Sequence, residues 1–484
     1  MPCNRRPKDR VYGWQLSSLL NSLVLDICPR GHRLLDASES LMGGRGRVEA
    51  MGRTALSTIN PTSDLYEADI EPRYTVGFPS PTRHDVTFEH IDMDVQKVVR
   101  RLTRHGHEAY LVGGCVRDLL LGRQPKDFDV ATSARPEEVR QLFRNSRIIG
   151  RRFRLVHVLF SGGKVIEVAT FRRNPKDETD DSAELLIRSD NVFGVASEDA
   201  VRRDFTMNAL FYDIEARQIL DWCGGMEDVE RRVVHTIGDP ETRFREDPIR
   251  ILRALKFAGR LGFAITPDVY DAIVFCREAL ALAARPRVSE EILRLLRGGQ
   301  ARRTIYLAWE TGVLDVLLPE LSSLLYDEGA ENGPSARQWR LLEYIDRRTA
   351  EVGPLDDSVL WTLLLLEPMQ EACDGARDRG AAVADFLEPL AERLALSRRY
   401  IDSIRRIIAV MPRLVTGRPG RFARTDVFDA AVEVTYADLV ARRESTEALE
   451  KHRVSSRPSP AAPQQDDRFV GPRRQHHRRA GGGR

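Results

Sequence analysis

The sequence contains little cysteine, few aromatic residues and almost no net charge. Its six cysteines are scattered over 484 residues without a CxxC pair or a metal-ligand spacing, which excludes a disulfide-stapled scaffold and predicts reduced thiols in a cytoplasmic protein. Aromatic residues make up only 7% of the chain, against 30% charged residues, a composition that favours helix-rich, well solvated surfaces. Because no uninterrupted apolar run approaches the roughly 18 residues that cross a bilayer, we expect no membrane partner.

The near-zero net charge hides a strong local excess of basic residues. The chain has 74 Lys and Arg against 72 Asp and Glu, a net charge of +2, which at first argues against a nucleic-acid partner. Residues 451–484, however, contain nine Lys and Arg and two acids, hence +7 (nine minus two), and leave −5 (2 minus 7) for the rest. Almost nothing in this segment is apolar, so we expect a disordered basic tail.

The pattern of apolar residues and turn residues divides the chain into an α/β part and a helical part. Its length corresponds to about three folded units. The N-terminal stretch lacks sustained periodicity and is expected to be a poorly ordered extension, in which Met42 or Met51 could be the true start. Strand and turn patterns come next and amphipathic helices follow. The predicted boundaries are 1–75 for the extension, 90–235 for an α+β head with a small mixed or antiparallel sheet, 236–320 for a helical neck, 321–450 for a helical body and 451–484 for the tail.

The strongest local signal is a pair of glycines followed, about a dozen residues later, by a pair of aspartates. Gly113 and Gly114 end a predicted strand, where backbone amides and a helix that begins near Val116 could approach an anion. Asp127 and Asp129 alternate along a predicted strand, so both carboxylates project from one face and suit Mg²⁺. Alone, an Asp-x-Asp pair is usually a solvated strand edge and a glycine pair only a turn, but together and in this order they favour a phosphate and metal site.

A third acid, Glu167, lies in the second arm of a predicted β-hairpin. The arms are Phe153–Phe160 and Val165–Phe171, joined by a Gly-rich turn, and Glu167 is the only charged residue of its arm. An acid in an apolar strand needs a partner. It is either a third metal ligand or a member of a structural ion pair, and the sequence leaves both open.

Two cations, a carboxylate and an amide follow within seven residues, in Arg202-Arg-Asp-Phe-Thr-Met-Asn208. If this segment is helical, Asp204 and Asn208 lie one turn apart on one face. The alternative is an exposed, charged helix start.

The segment from Arg245 to Arg253 is predicted to open a helix, with acids in its first turn and Pro248 where a missing amide hydrogen matters least. Asp247, Arg250 and Arg253 recur every three residues and form one polar stripe. The opposite, apolar face holds Ile251, Leu255 and Ala258. An Asp and an Arg fixed on a helix can offer an acceptor and donors to a base edge, although an i,i+3 salt bridge is the simpler interpretation.

In this order the motifs resemble the class II nucleotidyltransferases, the family of bacterial poly(A) polymerases and CCA-adding tRNA nucleotidyltransferases, over about residues 95–320. In that family GG-x-VRD and DxD form the triphosphate and two-metal site, RRDFTxNA binds ribose and phosphates, and EDxxR selects the incoming base. The resemblance implies an α+β nucleotidyltransferase head followed by helical neck, body and RNA-binding domains. It also implies two Mg²⁺ ions as cofactor and ATP as substrate.

The family's roles carry over residue by residue. The resemblance implies that Asp127 and Asp129 are the Mg²⁺ ligands, with Glu167 as the open third, and that both act in catalysis with Asp204. The implied nucleotide contacts are Gly113, Gly114, Arg117, Asp118, Arg202, Arg203, Asn208, Asp247, Arg250 and Arg253, with Asp247 and Arg250 at the base.

The stretch after the two aspartates helps to distinguish poly(A) polymerases from CCA-adding enzymes within the family. Arg151, Arg152 and Arg154 follow Gly150 in a G-R-R-F-x-[apolar] pattern that resembles the poly(A) polymerase signature, where CCA-adding enzymes usually have a Gly-Thr-rich loop. The arginines make a stiffer, more cationic element, and an enzyme that adds only A has less need of a flexible element that switches between CTP and ATP. A basic strand edge is the other interpretation.

We therefore expect template-independent, Mg²⁺-dependent addition of AMP from ATP to RNA 3′ ends, as in mRNA processing and decay, with closest resemblance to the bacterial poly(A) polymerase branch. The expected RNA contacts are Arg151, Arg152, Arg473, Arg474, Arg478 and Arg479, which would attract phosphates without sequence preference. The alternatives are a CCA-adding or A-adding tRNA nucleotidyltransferase and a catalytically inactive RNA-binding protein. Partners in RNA degradation, or chaperones, are compatible with this function but cannot be read from the sequence.

Overall fold

An eight-stranded mixed sheet is the core element of the first half of the described chain. The computed structural model describes residues 74–77, 90–150, 154–173, 192–326 and 329–453, all within one unit of the chain. The strands of the sheet are β1 (Tyr74–Gly77), β2 (Ala109–Val112), β3 (Asp129–Thr132), β4 (Ser146–Ile149), β5 (Leu155–Leu159), β6 (Val165–Thr170), β7 (Leu210–Asp213) and β8 (Gln218–Asp221). Their order across the sheet is β1-β8-β7-β2-β3-β6-β5-β4. All neighbours are antiparallel except β3 and β6, which run parallel, so the expected mixed sheet is confirmed.

Short helices cover this sheet. They are α1 (Met93–Arg104), α2 (Gly114–Leu120), α3 (Pro136–Leu142), α4 (Ala196–Val201) and α5 (Gly225–Arg231). The side chain of Asp92 caps α1 by accepting hydrogen bonds from the amides of Asp94, at 2.8 Å, and Val95, at 3.4 Å, which satisfies donors that the first turn leaves without partners. The apolar residues of α1 that recur at helical spacing, Val95, Val98, Val99 and Leu102, are all buried.

The second half of the described chain is helical, as the apolar periodicity predicts. Its helices are α6 (Pro240–Glu246), α7 (Ile249–Leu261), α8 (Pro267–Cys276), α9 (Arg285–Arg297), α10 (Ala301–Glu310), α11 (Val313–Leu317), α12 (Pro319–Leu325), α13 (Pro334–Val352), α14 (Asp357–Leu364), α15 (Leu366–Ala372), α16 (Arg379–Leu394), α17 (Arg398–Val415), α18 (Phe428–Arg442) and α19 (Glu447–Arg453). A two-stranded parallel ribbon, β9 (Val233–Val234) and β10 (Ala264–Ile265), joins the end of the head to the segment after α7. None of the helices in the described ranges is long and apolar enough to cross a membrane.

The predicted hairpin is present, and its register places the acids of the sheet. Strands β5 and β6 pair antiparallel around a short 3₁₀ turn, Ser161–Gly163. Strand β6 pairs on its other side with β3, so that Glu167 lies in register with Asp129. The location of Asp127 differs from the prediction. Strand β3 begins at Asp129, and Asp127 lies in the bend before it. The two aspartates therefore do not converge by strand alternation, as we expected.

The structure also differs from the predicted end of the N-terminal extension and from the predicted start of the tail. Strand β1 begins at Tyr74, within the last residues of the stretch taken as an extension, and α19 continues to Arg453, three residues into the predicted tail. The remainder of both segments lies outside the described residues, as do Arg151 and Arg152.

A glycine lets the helix that carries the polar stripe pack directly against the next layer. On α7, a Cβ atom added at Gly259 would lie 2.2 Å from the Cγ2 atom of Thr304 on α10. Thr304 cannot turn away freely, because it is 1% exposed and its hydroxyl donates to backbone carbonyls, such as that of Leu295 at 3.2 Å. Any side chain at position 259 must therefore separate the two helices.

We expect Gly259→Ala to lower the free energy of unfolding by about 1–3 kcal/mol, since overpacking a buried contact has this cost. The double variant Gly259→Ala with Thr304→Ser should regain most of that loss, because serine keeps the hydroxyl and removes the obstructing methyl group. The control is Gly298→Ala, whose added Cβ atom meets only ordinary contacts, the nearest at 3.6 Å. Thermal melting curves test this, and a Gly259→Ala protein as stable as the wild type would contradict the close packing.

Candidate active site

The turn between β2 and α2 requires glycine for two reasons. Gly113 has a φ of +76°, a conformation that side chains disfavour, and an added Cβ atom would lie 3.2 Å from Nη1 of Arg203. Helix α2 begins at Gly114, two residues before the expected Val116. The amide of Gly113 donates to the carbonyl of Leu210 at 3.1 Å, so this amide, which the sequence offered to an anion, is already engaged.

Arg117 of α2 holds residues that are distant in the chain. Its Nη1 atom donates to Oδ1 of Asn208 at 2.6 Å, and its Nε and Nη2 atoms donate to Oδ1 of Asp118 at 2.9 and 2.6 Å. The guanidinium lies 5.3 Å from the centre of the Phe257 ring on α7. Because Arg117 is 2% exposed, these contacts fix the amide of Asn208 rather than leave the arginine free for a ligand.

Asp127 and Asp129 both line the same cavity although they approach it from different backbone conformations. Desolvation by the surrounding protein raises the pKa of Asp129 to about 6. The negative charge of Glu167 adds to this increase, Asp127 adds less, and the positive charge of Arg203 opposes it. The shift reflects first the loss of water around the carboxylate and then the neighbouring negative charges. A cation bound there would relieve it.

Glu167 does not line this cavity among the described residues. Its Oε1 atom lies 3.1 Å from Nε2 of His157 on the neighbouring strand, so it has a polar partner of the kind that the simpler interpretation requires. Its role as a third metal ligand stays a prediction.

Arg202 and Arg203 are oriented by a buried carboxylate that the sequence analysis missed. Asp199 of α4 accepts from Nε of Arg202 at 2.9 Å and from Nη2 of Arg203 at 2.8 Å, and its side chain is 3% exposed. Burial alone would raise the pKa of Asp199, but the charges of Arg203 and Arg202 outweigh it and hold the pKa below its usual value. The i,i+3 and i,i+4 spacing of these residues was a signal available in the sequence.

Asp204 lies in a loop after α4, not in a helix, yet it still meets Asn208. Asp204 Oδ1 accepts from Nδ2 of Asn208 at 3.3 Å, and Oδ2 forms an ion pair of 2.6 Å with Nη2 of Arg253 on α7. Burial would raise the pKa of Asp204, but Arg253 and these hydrogen bonds lower it overall. The expected proximity is therefore present for a different reason, and the carboxylate joins the head to the neck.

Asp247 and Arg250 lie at the start of the predicted polar stripe, but the helix begins later than expected. Asp247 lies in the break between α6 and α7, and its two oxygens accept from Nη1 and Nη2 of Arg287, at 3.3 and 2.9 Å. Arg250 donates from Nη1 to Glu246 Oε2 at 2.7 Å and to the carbonyl of Arg243 at 2.9 Å. Both side chains are thus held in fixed orientations at the cavity.

One cavity of about 820 Å³ brings these side chains together, a volume within the range of small-molecule sites. The residues expected from the sequence that line it are Gly113, Gly114, Arg117, Asp118, Asp127, Asp129, Arg202, Arg203, Asp204, Asn208, Asp247, Arg250 and Arg253. Their location is a structural fact, and their roles stay predictions. The arginines expected to contact RNA, Arg151, Arg152, Arg473, Arg474, Arg478 and Arg479, lie outside the described residues.

The cavity also contains residues that sequence reasoning missed. Phe257 and Arg260 continue the polar stripe of α7 at helical spacing, so extending the pattern would have found them. Arg287 comes from α9, 40 residues after its partner Asp247, and no local signal identifies it. Lys126 precedes the first aspartate of the pair and also lines the cavity.

The donor set fits Mg²⁺. In the described part of the chain, no group of three or more His, Cys, Asp and Glu side chains could hold a metal ion. Mg²⁺, however, is commonly bound by one or two carboxylates together with substrate phosphates and water. Asp127 and Asp129, with the raised pKa of the second, provide such a pair beside a cavity that is rich in arginine.

Comparisons with known proteins agree with the sequence motifs. Residues 109–235 match the family described as the poly A polymerase head domain, and residues 262–325 match a family described as a probable RNA and SrmB-binding site of polymerase A. Poly(A) polymerase I of Escherichia coli O6:H1 is 37% identical over 421 residues, which span 83% of this chain and 88% of that protein. Poly(A) polymerase I of Salmonella typhi is 39% identical over 381 residues, 76% of this chain and 78% of that protein.

CCA-adding enzymes are similar over a shorter part or in fold. The CCA-adding enzyme of Geobacillus stearothermophilus is 44% identical over 227 residues, which span 46% of this chain and 54% of that enzyme. The crystal structure of the Bacillus stearothermophilus CCA-adding enzyme in complex with CTP matches with a TM-score of 0.53 and 29% identity, over 75% of this chain and 83% of that chain.

The buried Asp199 predicts a pH-dependent contribution to stability. Removing one partner of a buried ion pair costs about 3–5 kcal/mol, so we expect Asp199→Asn to lower the melting temperature strongly at pH 7. Since the folded pKa of Asp199 lies below the ordinary value of 3.8, its contribution is present above that value and is lost as the pH falls through the folded pKa. The deficit of the variant should therefore shrink below about pH 4.

The matched control is Glu227→Gln. Glu227 pairs with Arg231 at 3.3 Å on the exposed side of α5, and exposed pairs of this kind contribute about 0–1 kcal/mol. Melting curves of both variants at pH 7 and pH 3.5 make the comparison. A deficit for Asp199→Asn that stays constant with pH, or that equals the control, would contradict the assignment.

Proposed function

Since the chain belongs to the family of RNA nucleotidyltransferases that comprises the poly(A) polymerases and the CCA-adding enzymes, we propose that it is a poly(A) polymerase, which adds AMP from ATP to RNA 3′ ends without a template. The observation that carries the proposal is the single cavity that contains the aspartate pair, the paired arginines and the polar stripe of α7. Similarity that spans 88% of a poly(A) polymerase, against 54% of a CCA-adding enzyme, favours AMP as the added unit.

Asp127 and Asp129 would hold Mg²⁺ together with the phosphates of the nucleotide. When bound by these carboxylates, Mg²⁺ would supply Lewis-acid activation of a hydroxyl and neutralisation of phosphate charge. The chain's own task is then to position the reactants and to stabilise charge. The raised pKa of Asp129 fits this role, because the carboxylate is destabilised as an anion until a cation is present.

Arg202 and Arg203 are suited to the triphosphate. Asp199 engages one edge of each guanidinium and so presents two oriented cations at the Gly113 turn, where Arg203 Nη1 comes within 3.2 Å of a built Cβ. Orientation before binding reduces the entropy cost of holding the phosphates. Asp199 itself acts as a positioning residue.

Asp247 and Arg250 are suited to the base. A carboxylate can accept a hydrogen bond from an exocyclic amino group, and a guanidinium can donate to a ring nitrogen. Arg287 and Glu246 fix these two side chains, so the acceptor and the donor are oriented before the base binds. Asp204 contributes by holding Asn208 and Arg253 rather than by direct contact.

Addition of CCA to tRNA is the second candidate, and the 44% identity to a CCA-adding enzyme over 227 residues is the observation that favours it. A catalytically inactive RNA-binding protein is disfavoured, because Asp127, Asp129 and Asp204 are all retained.

A nucleotide-restriction assay separates the first two candidates. Purified protein is incubated with tRNA that lacks its 3′ end, with labelled CTP alone and with labelled ATP alone. We expect long tails from ATP and almost no incorporation from CTP, because the similarity to poly(A) polymerase I spans more of the chain than that to a CCA-adding enzyme. A CCA-adding enzyme run in parallel serves as the control, and robust CTP incorporation would assign CCA addition instead.

We expect Asp127→Ala to abolish Mg²⁺-dependent AMP incorporation, a loss of at least about 10³-fold, while leaving RNA binding largely intact. The control is Glu215→Ala, which removes an exposed carboxylate in the turn between β7 and β8 and should retain wild-type activity. Extension of a labelled RNA and binding of the same RNA are measured on each variant. Residual activity near the wild-type rate in Asp127→Ala would show that the metal assignment is wrong.

A further inference from the structure

The segment from α17 to the 3₁₀ turn Gly420–Arg424 concentrates positive charge far from the sequence motifs. Residues 398–424 contain eight arginines, no lysine and one acid, Asp402, hence +7 (eight minus one) in a chain whose total is +2. Natural surfaces usually intersperse charges of both signs. This segment does not, so its arginines call for an explanation beyond solubility.

Most of these arginines have no partner. Arg405 and Arg406 pair with Asp402, and Arg406 also pairs with Asp426. Within the described ranges the other six make no side-chain hydrogen bond or ion pair, and all six are exposed. We name them the arginine stripe: Arg398, Arg399, Arg413, Arg418, Arg421 and Arg424.

The geometry of α17 aligns the stripe. At 100° per residue, Arg398, Arg399 and Arg413 fall within about a 100° sector of the helix, on the side away from the buried Ile404, Ile407 and Ile408. Arg398 and Arg399 occupy the first turn, where the helix dipole favours acids and disfavours cations, and no acid is present in that turn. The dipole accounts for Arg413 near the other end, but not for this pair.

The chain before the stripe contacts α9, whose first residues line the active-site cavity. Ala284 and Arg287, at the start of α9, line the cavity. Between them, Arg285 donates to the carbonyl of Glu392 at 3.2 Å, six residues before Arg398. Helix α17 then continues for 18 residues, about 27 Å.

The stripe ends near the origin of the basic tail. A Cβ atom built on Gly417, just after α17, would lie 3.8 Å from the Cβ atom of Ala448 on α19. Helix α19 ends at Arg453, and the basic residues of the tail follow in the sequence. The stripe therefore lies between the segment that contacts α9 and the contact with α19.

We propose that the arginine stripe binds the phosphate backbone of single-stranded RNA upstream of the 3′ end that occupies the cavity. The proposal rests on the proposed function, because it takes the cavity to hold an RNA 3′ end. Like charges along one surface repel each other, and a polyanion that follows the stripe removes this repulsion while it releases counterions. Contacts of this kind hold the strand without reading its sequence, as an enzyme that extends a growing tail requires.

The test compares two triple variants of the full chain. The first is Arg413→Gln with Arg421→Gln and Arg424→Gln, all far from the cavity. The control is Arg104→Gln with Arg144→Gln and Arg231→Gln, three exposed arginines of the head that remove the same charge. Fluorescence anisotropy with a 20-nucleotide oligo(A) is measured from 50 to 200 mM KCl. Both variants should keep the wild-type melting temperature.

For the stripe variant we expect the negative slope of log K against log salt to become shallower by about 2, since each lost phosphate contact on a single strand reduces its magnitude by about 0.7. The ratio of wild-type affinity to stripe-variant affinity should then be roughly 20-fold larger at 50 mM than at 200 mM salt. The control variant should keep the wild-type slope. An unchanged slope, or an equal fall in both variants, would overturn the proposal. Loss of binding to phosphatidylglycerol vesicles without loss of RNA binding would overturn it too, in favour of an anionic membrane surface.

A second measurement separates this proposal from the proposed function. With ATP, the stripe variant should extend a four-nucleotide primer at the wild-type rate, because that primer is too short to reach the far arginines, whereas the KM for the 20-nucleotide primer should rise about tenfold. Equal KM changes for both primers would overturn the stripe assignment. If the wild-type protein extends neither primer, the proposed function fails, and the anisotropy slopes still decide whether the stripe binds RNA.

Discussion

The ion pair between Asp204 and Arg253 is the interaction on which the site depends. Asp204 belongs to the head and Arg253 to α7 of the neck, and the 2.6 Å contact neutralises a carboxylate whose side chain is only 10% exposed. Arg243 of α6 reinforces the junction by donating to the carbonyls of Arg202 and Arg203. Because an unpaired charge at this depth is strongly unfavourable, these bonds favour the relative position of Asp204 and α7 that the structure shows. The cavity is lined from both sides of this contact.

Much of the fold and the cavity could be predicted from the sequence because the decisive patterns are local. The β5–β6 hairpin, the apolar face of α1 and the polar stripe of α7 each follow from the spacing of residues within one or two elements. The α+β class and the family were also identifiable, since the motifs recur in a fixed order. The matches to poly(A) polymerase I and to the head-domain family confirm that identification.

What could not be predicted depends on contacts between distant segments. Arg117 meets Asn208 across 91 residues, and Arg287 meets Asp247 across 40, so neither pairing has a local signature. For Asp127 a local pattern was present, but it predicted the wrong backbone conformation. Its spacing from Asp129 suggested a shared strand, but the chain bends before β3, and the two carboxylates reach one cavity only because the bend and the strand end lie at the same edge of the sheet.

The distribution of charge gives the molecule two distinct electrostatic regions. At the cavity, Arg203, Arg250 and Arg287 pair with Asp199, Glu246 and Asp247, so these three cations are oriented before a ligand arrives. Within the described ranges, the six arginines of the stripe lack such partners and are exposed. Oriented cations suit recognition of one small ligand in one pose, whereas free ones suit a long polyanion that must move between additions.

The head–neck ion pair also sets an order of events during synthesis on the ribosome. Every strand of the eight-stranded sheet is encoded before residue 222, so the head can form its sheet while α7 is still inside the exit tunnel. Until Arg253 emerges, the carboxylate of Asp204 lacks its ion-pair partner. The contact that ties this loop to α7 can therefore form only after the sheet of the head has been synthesised.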